Sequence, residues 1–192
     1  MVSVFFIAKS FVLQRALALV KWLVLYGCLA SAAHADENLE YKVKAAYLYN
    51  FTKFITWPGK SSPTFNICVL GRDPFGNLLD TLESKTVQEK PIRLYRFDNP
   101  RQARDCDIAY FDNPDQRPEF TPAGVLLVGS LKKALTVSSD PFFAESGGMI
   151  GFALDDGKVK LHINLRALKQ SGLAISAKLI EVATLVEGGE HE

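Results

Sequence analysis

The chain has 192 residues, 48% of them hydrophobic and 11% aromatic, with 22 Lys and Arg against 21 Asp and Glu. This composition is typical of a globular protein and excludes a disordered or collagen-like chain. The near-neutral charge argues against a nucleic-acid-binding protein, which normally carries a basic surface. Only three histidines are present, His34, His162 and His191, which disfavours catalysis based on histidine.

The N-terminal segment, residues 1–35, has the pattern of a secretory signal peptide. It carries three basic residues and no acidic one, followed by an apolar run over residues 22–30 and the small-residue sequence Ala33-His34-Ala35. These are the three parts of an export signal, and the run is shorter than the ~20 residues of a membrane-spanning helix. We therefore expect cleavage after Ala35.

Two alternatives exist for this segment: a retained N-terminal anchor, and lipidation at Cys28, because Leu25-Tyr26-Gly27-Cys28 resembles a bacterial lipobox. Tyr26 is bulky for a lipobox and apolar residues continue past Cys28, which favours cleavage after Ala35. The remaining residues, 36–192, are enough for one self-sufficient core. No repeat or long linker divides them, so they predict a single domain.

Two cysteines remain after cleavage, Cys68 and Cys106. An even number of cysteines in an exported chain predicts a disulfide. A disulfide that closes the loop from Cys68 to Cys106 would stabilise the fold by roughly 4 kcal/mol. The alternative is a pair of buried free thiols.

The first predicted element is an amphipathic helix over residues 37–56, which Pro58 would end. Its apolar face consists of residues at three- and four-residue steps: Leu39, Val43, Ala46, Tyr47, Asn50 and Phe54.

Strands then alternate with short helices, a pattern that predicts a parallel, doubly wound sheet. The predicted strands are Phe65–Leu70, Ile92–Phe97, Asp107–Phe111 and Gly124–Gly129. The predicted helices are residues 74–84, with Asp73 as N-cap and Pro74 at the first position, then Pro100–Arg104 and 130–134. In the strand order 2-1-3 the first and third strands are neighbours, which makes a bridge from Cys68 to Cys106 geometrically reasonable.

The C-terminal part predicts an antiparallel end to the sheet. After a short strand at Leu135–Ser138, Met149–Leu154 and Lys158–Asn164 flank the hairpin signal Asp155-Asp156-Gly157. A closing helix is predicted from a further apolar stripe: Ile175, Leu179, Val182, Ala183 and Val186. The whole is an α/β fold of one domain, a mixed β-sheet flanked by helices.

The signatures of common enzymes are missing. Gly71 and Gly76 have the spacing of a phosphate-binding loop, but Asn77 stands where that loop needs Lys. His162 is the only histidine within the predicted domain, and one His makes neither a metal cluster nor a catalytic triad. We therefore expect no enzymatic activity, no metal site and no cofactor.

Clustered aromatic residues are the better functional candidates. Trp57 ends the first helix, and Phe142 and Phe143 precede the double glycine Gly147-Gly148 in a predicted loop. Exposed, these rings would mark a partner-binding surface. The alternative is that they close the ends of the core.

Several segments resemble the YfiR/HmsC-like family of periplasmic proteins. They are Tyr41 to Phe51 followed by Trp57-Pro58, then Gly147 to Phe152, Ile163-Asn164-Leu165, and Ser171 to Leu179. The resemblance covers essentially the whole predicted domain. This chain departs from the family pattern at Leu161-His162, where an aromatic and an acidic residue are common, and it lacks a second cysteine pair found in some relatives.

The resemblance implies a non-enzymatic periplasmic repressor. It would bind the periplasmic domain of an inner-membrane diguanylate cyclase of the YfiN type and thereby lower cyclic-di-GMP and biofilm formation. It also implies that the protein can form a homodimer and that the Cys68–Cys106 disulfide affects activity. The alternative function is a small-molecule sensor for another membrane receptor, with a ligand near Gly147, Gly148, His162 and Asn164.

Overall fold

The computed structural model describes residues 39–59, 62–112 and 131–187. By its internal contacts the chain divides into residues 1–40 and 41–192, and the architecture below is that of the second unit. The predicted signal peptide, residues 1–35, and the predicted strand at Gly124–Gly129 lie outside the described residues.

Within the described ranges, eight strands form one sheet. They are β2 (Phe65–Leu70), β3 (Thr86–Val87), β4 (Lys90–Phe97), β5 (Ile108–Phe111), β6 (Leu135–Ser138), β7 (Ile150–Asp155), β8 (Lys158–Ile163) and β10 (Thr184–Leu185). Their order across the sheet is β10-β8-β7-β6-β5-β2-β4-β3. Strands β4, β2, β5, β6 and β7 run parallel, whereas β7–β8 and β3–β4 are antiparallel. This confirms the predicted mixed α/β sheet, and the neighbours β4-β2-β5 confirm the order 2-1-3.

The described residues form a separate buried cluster on each face of the sheet. On one, which we call the helix face, Ile67, Val69 and Tyr110 pack in one cluster with residues of the N-terminal helix. On the other, the disulfide face, Cys68, Leu70 and Phe111 pack in a second cluster with residues of shorter segments, among them Ala103 and Phe143. All six residues of β2 are buried because both faces are covered.

The N-terminal helix, α1, covers residues 39–54 and confirms the predicted element. Its buried face is rotated from the predicted one: Leu48 and Phe51 are fully buried, whereas Ala46 is exposed. The ring of Phe51 stacks on Phe152 of the sheet, with centroids 6.2 Å apart. The chain then enters β1 (Ile55–Thr56), which pairs antiparallel with β9 (Ala174–Ile175).

The predicted helix at residues 74–84 is instead two short 3-10 helices, Gly76–Leu78 and Asp80–Ser84. The N-cap prediction holds in part, because the Asp73 carboxylate accepts hydrogen bonds from the backbone N–H groups of Phe75 and Gly76. Gly76 has a positive φ of 49°, and Arg96 donates to its carbonyl oxygen at 3.1 Å. The carbonyl of Gly76 thus points toward the Arg96 side chain and not along a helix axis. This direction favours a tight turn over a continuous α-helix.

Arg96 fixes this segment to β4. Its guanidinium contacts the carboxylates of Asp73 at 2.6 Å and Asp80 at 2.9 Å. The hydrogen bond to Asp73 raises the pKa of Arg96 above its ordinary value, so the side chain stays charged at every physiological pH.

The predicted closing helix is wrong. Residues 174–185 form β9, a single helical turn (Ala177–Ile180) and β10, and Val182 of the predicted stripe is 65% exposed. Pairing with β1 and β8 takes the backbone groups that a helix would need. By contrast, the predicted hairpin is confirmed: Asp156 and Gly157 have φ of 48° and 70°, as in a type I′ turn.

Gly148 provides a test of the packing on the disulfide face. A Cβ atom at this position would overlap the ring of Phe143, which is fully buried. We expect Gly148→Ala to lower the free energy of unfolding by about 1–3 kcal/mol, because a buried ring must shift. Urea denaturation measures the change.

The control is a double-mutant cycle with Phe143→Leu, which removes the ring atoms Cε1 and Cζ that the new methyl group would approach most closely. The combined loss should be smaller than the sum of the two single losses. Strict additivity would contradict the steric explanation.

Candidate functional site

The segment from Ser139 to Gly148, which we call the Phe142 loop, holds four of the seven residues predicted to bind a partner or a ligand. It begins at the carboxyl end of β6, where the Ser139 hydroxyl accepts a hydrogen bond from Lys44 Nζ at 2.7 Å and shares another with the Tyr110 hydroxyl at 2.6 Å. Lys44 is only 3% exposed, and its ammonium group lies over the rings of Tyr41 and Phe152 at 4.8 and 5.9 Å from their centroids. These contacts tie the start of the loop to α1.

The loop is folded on itself. Asp140 accepts a hydrogen bond from the backbone N–H of Phe142 through its carboxylate and from that of Phe143 through its carbonyl. The N–H of Gly148 donates to the carbonyl of Phe143 at 2.9 Å. A loop held by its own backbone at both ends presents its side chains in fixed directions.

The two neighbouring phenylalanines point in opposite directions. Phe142 is 65% exposed, in agreement with the expectation of a surface ring. Phe143 is fully buried and packs edge-on against Phe111, with centroids 4.7 Å apart. The expectation that Phe143 lies at the surface is therefore wrong, because its ring fills the space between β5 and the glycine backbone.

The side chain of Asn164 holds parts of the fold together. It is buried, and its side-chain amide donates to the carbonyl of Ala144 at 3.0 Å. Its side-chain oxygen accepts from the backbone N–H of Ala167 at 3.0 Å and so caps helix α2 (Leu165–Gln170). Both ends of the amide are in use within the protein, and Asn164 joins the Phe142 loop to α2.

His162 lies on the same face of the sheet as the loop. It stands in register with Gly151, where a Cβ atom would lie 3.0 Å from the carbonyl oxygen of Asp140. Its ring is half-buried, and its Nδ1 atom has no hydrogen-bond partner among the described residues. The structure thus brings His162 and Asn164 next to the loop that ends at Gly148.

A cavity of about 230 Å³ opens beside the double glycine. Gly147 is the one residue of the predicted ligand set that lines it. The other lining residues are Leu131, Lys132, Thr136, Met149, Ala167, Gln170 and Ser171. Sequence reasoning missed these residues because they come from three separate segments, residues 131–136, Met149 and the end of α2, and no local spacing connects them.

Trp57 lies away from this loop, at the amino end of the parallel strands. Its indole N–H donates to the carbonyl of Asp107 at 2.9 Å, and its ring packs edge-on against Phe65 at 5.0 Å. The ring is half-buried and closes that end of the core, as in the alternative that the sequence left open. A partner contact for Trp57 stays a prediction.

The disulfide between Cys68 and Cys106 is present, with the Cα atoms 5.8 Å apart, which confirms the prediction. Both cysteines are buried, and they pack with Ala103 and Phe97 on the disulfide face. The bond joins the middle of β2 to the segment just before β5.

Two further properties concern the described part of the chain. There, no three His, Cys, Asp or Glu side chains form a group that could hold a metal ion. The helices of that part are too short or too polar to cross a membrane.

Comparison with known proteins identifies a family. The profile described as YfiR/HmsC-like matches residues 41–184. No curated protein sequence matches the chain significantly.

Two solved structures are similar to this chain. One is a conserved domain protein from Vibrio cholerae, with 15% sequence identity and a TM-score of 0.47 over 62% of this chain and 54% of that one. The other is an ABC domain in complex with L-Trp from Streptococcus pneumonia, with 11% identity and a TM-score of 0.43 over 64% and 55% of the two chains. This chain therefore spans just over half the length of both structures.

The disulfide should contribute strongly to stability. We expect the double variant Cys68→Ala with Cys106→Ala to lower the free energy of unfolding by about 2–5 kcal/mol, because the unfolded chain gains the freedom of the opened loop. Urea denaturation of the oxidised wild-type protein and the variant measures the difference. Reductant should lower the stability of the wild type but not that of the variant. Equal stability of the oxidised wild type and the variant would contradict the prediction.

Proposed function

Because the chain belongs to the YfiR/HmsC-like family, it has a periplasmic regulatory role, and we propose that it represses an inner-membrane diguanylate cyclase by binding the cyclase's periplasmic domain. The match over residues 41–184 carries this proposal, because it includes seven of the eight strands of the described sheet in full and reaches the first residue of β10. Members of the family are regulators rather than enzymes. The output of the interaction would be a lower level of cyclic-di-GMP and less biofilm.

Repression of this kind shifts the equilibrium between the active and inactive states of the receptor. A protein that binds the inactive state of a receptor more tightly than the active state favours the inactive state. The shift is set by the difference between its affinities for the two states. A rigid binding surface also favours tight binding, because little conformational entropy is lost when the complex forms. Phe142 fits this requirement, since its ring is exposed on a loop fixed by Lys44 and Asn164.

The disulfide provides a route for regulation of the repressor. It holds β2 to the segment before β5 on the same face as the Phe142 loop. Reduction would loosen these segments, and we propose that repression weakens when the bond is broken.

A second candidate function is small-molecule sensing, and the cavity beside Gly147 favours it. A ligand there would contact both the Phe142 loop and α2, so its binding could change the partner surface. This role is compatible with repression. A ligand-dependent rise in the melting temperature would support it.

The first test is the cyclic-di-GMP content of the encoding bacterium with the gene deleted and then restored. We expect the content to rise on deletion and to return with the wild-type gene, because the cyclase loses and regains its repressor. The cysteine double variant should restore repression only in part. An unchanged content on deletion would contradict the proposed function.

Phe142→Ala tests the loop. We expect at least about tenfold weaker binding to the cyclase's periplasmic domain, because an exposed aromatic ring at the centre of an interface is a typical hot spot. Leu154→Ala is the matched control, since Leu154 is 57% exposed but lies on the helix face. Titration calorimetry with purified domains measures both; equal affinities of Phe142→Ala and wild type would exclude this loop from the interface.

A further inference from the structure

The solvent-facing side of β4 carries a pair of stacked aromatic rings next to the disulfide. Tyr95 stands in register with Cys68, and Phe97 with Leu70, so both rings lie on the disulfide face. Their planes are 13° apart with centroids at 6.2 Å. Phe97 packs against the buried cluster, whereas Tyr95 is 41% exposed. The pair is a flat apolar platform with one side anchored in the core.

Three exposed arginines belong to the same part of the disulfide face. Arg93 precedes Tyr95 by two residues on the same strand face. Beyond β4, Ala103 is buried in the same cluster as the disulfide, which places its exposed neighbours Arg101 and Arg104 at the rim of this face. We call Arg93, Tyr95, Phe97, Arg101 and Arg104 the arginine–aromatic surface.

These three guanidinium groups differ from Arg96, which points to the other face and is held by two carboxylates. Among the described residues, Arg93, Arg101 and Arg104 form no ion pair, although Asp98 and Asp105 are also exposed in this segment. Their charge is therefore available to another molecule. Arginine and tyrosine are the residues that most often dominate binding energy at protein interfaces.

We propose that the arginine–aromatic surface binds an acidic segment of a protein partner, its Asp and Glu carboxylates pairing with the arginines. This rests on the proposed function, in which that partner is the periplasmic domain of the cyclase. Guanidinium forks match carboxylates with two parallel hydrogen bonds, and the stacked rings supply apolar contact beneath them. A membrane-binding surface would instead project apolar side chains outward, and here Phe97 is turned into the core.

The disulfide holds the two halves of this surface together. Cys68 lies on the strand beside Tyr95, and Cys106 follows Arg104 by two residues. Breaking the bond would free the segment that carries Arg101 and Arg104 from the strand beside the rings. The state of the disulfide would then change the spacing of the charges that face the partner.

Photo-crosslinking in living cells tests the proposal directly. The photoreactive amino acid p-benzoylphenylalanine is placed at Tyr95 and, as a control, at Leu154 on the helix face. We expect a crosslink from Tyr95 alone, to a peptide rich in Asp and Glu that mass spectrometry assigns to the cyclase. The double variant Arg101→Glu with Arg104→Glu should lower its yield by about tenfold, because charge-assisted hydrogen bonds are replaced by repulsion.

The matched control for charge is Lys158→Glu with Lys160→Glu, which makes the same change of net charge on β8, far along the sheet. It should leave the yield unchanged, and melting curves verify that all variants fold. An acidic peptide from a different protein, lost in the arginine variant, would support the surface and contradict the cyclase as partner. A crosslink to lipid, to a non-acidic peptide or to nothing would overturn the surface, even where the wild-type gene still lowers cyclic-di-GMP.

Discussion

The burial of both faces of β2 is the constraint on which the rest of the domain depends. A parallel strand in the middle of a sheet must be covered on each side, or its apolar residues meet water. Helix α1 covers one side with a continuous apolar stripe. On the other side, the described segments are a one-turn 3-10 helix and short turns, and segments this short are only marginally stable by themselves.

Specific bonds compensate for this weakness on the disulfide face. The disulfide fixes the segment before β5, Asn164 fixes the middle of the Phe142 loop, and Lys44 fixes its start. Each bond joins an irregular segment to a regular element. The result is a set of loops with defined conformations, which is the usual way in which a scaffold presents binding residues.

Local patterns predicted the parts of the fold that local physics decides. The strands β2 and β6 and the turn at Asp156-Gly157 were predictable because alternation, apolar runs and positive-φ residues act over a few positions. The closing helix failed because pairing with β1 and β8 outweighed the apolar period of residues 175–186. The rotated face of α1 has a similar cause, since stacking on Phe152 selected Phe51 over its neighbours.

The candidate site was less predictable, and the pair Phe142 and Phe143 shows why. Nothing in two identical neighbours tells which one is buried; the backbone bonds of Asp140 and the lack of a side chain at Gly148 decide it. Alternation along β4 does place Arg93, Tyr95 and Phe97 on one face. Only the strand order reveals that this face also carries the disulfide.

The Phe142 loop and the arginine–aromatic surface share the disulfide face, since Phe143 and Phe97 belong to the same buried cluster. One partner could therefore contact both. The disulfide is part of that cluster, whereas the core of the helix face does not include it. In the regulation proposed above, a change in the bond would alter the geometry between the two surfaces while α1 keeps the sheet folded. This separation is what a regulator needs if a chemical signal is to change binding without unfolding the protein.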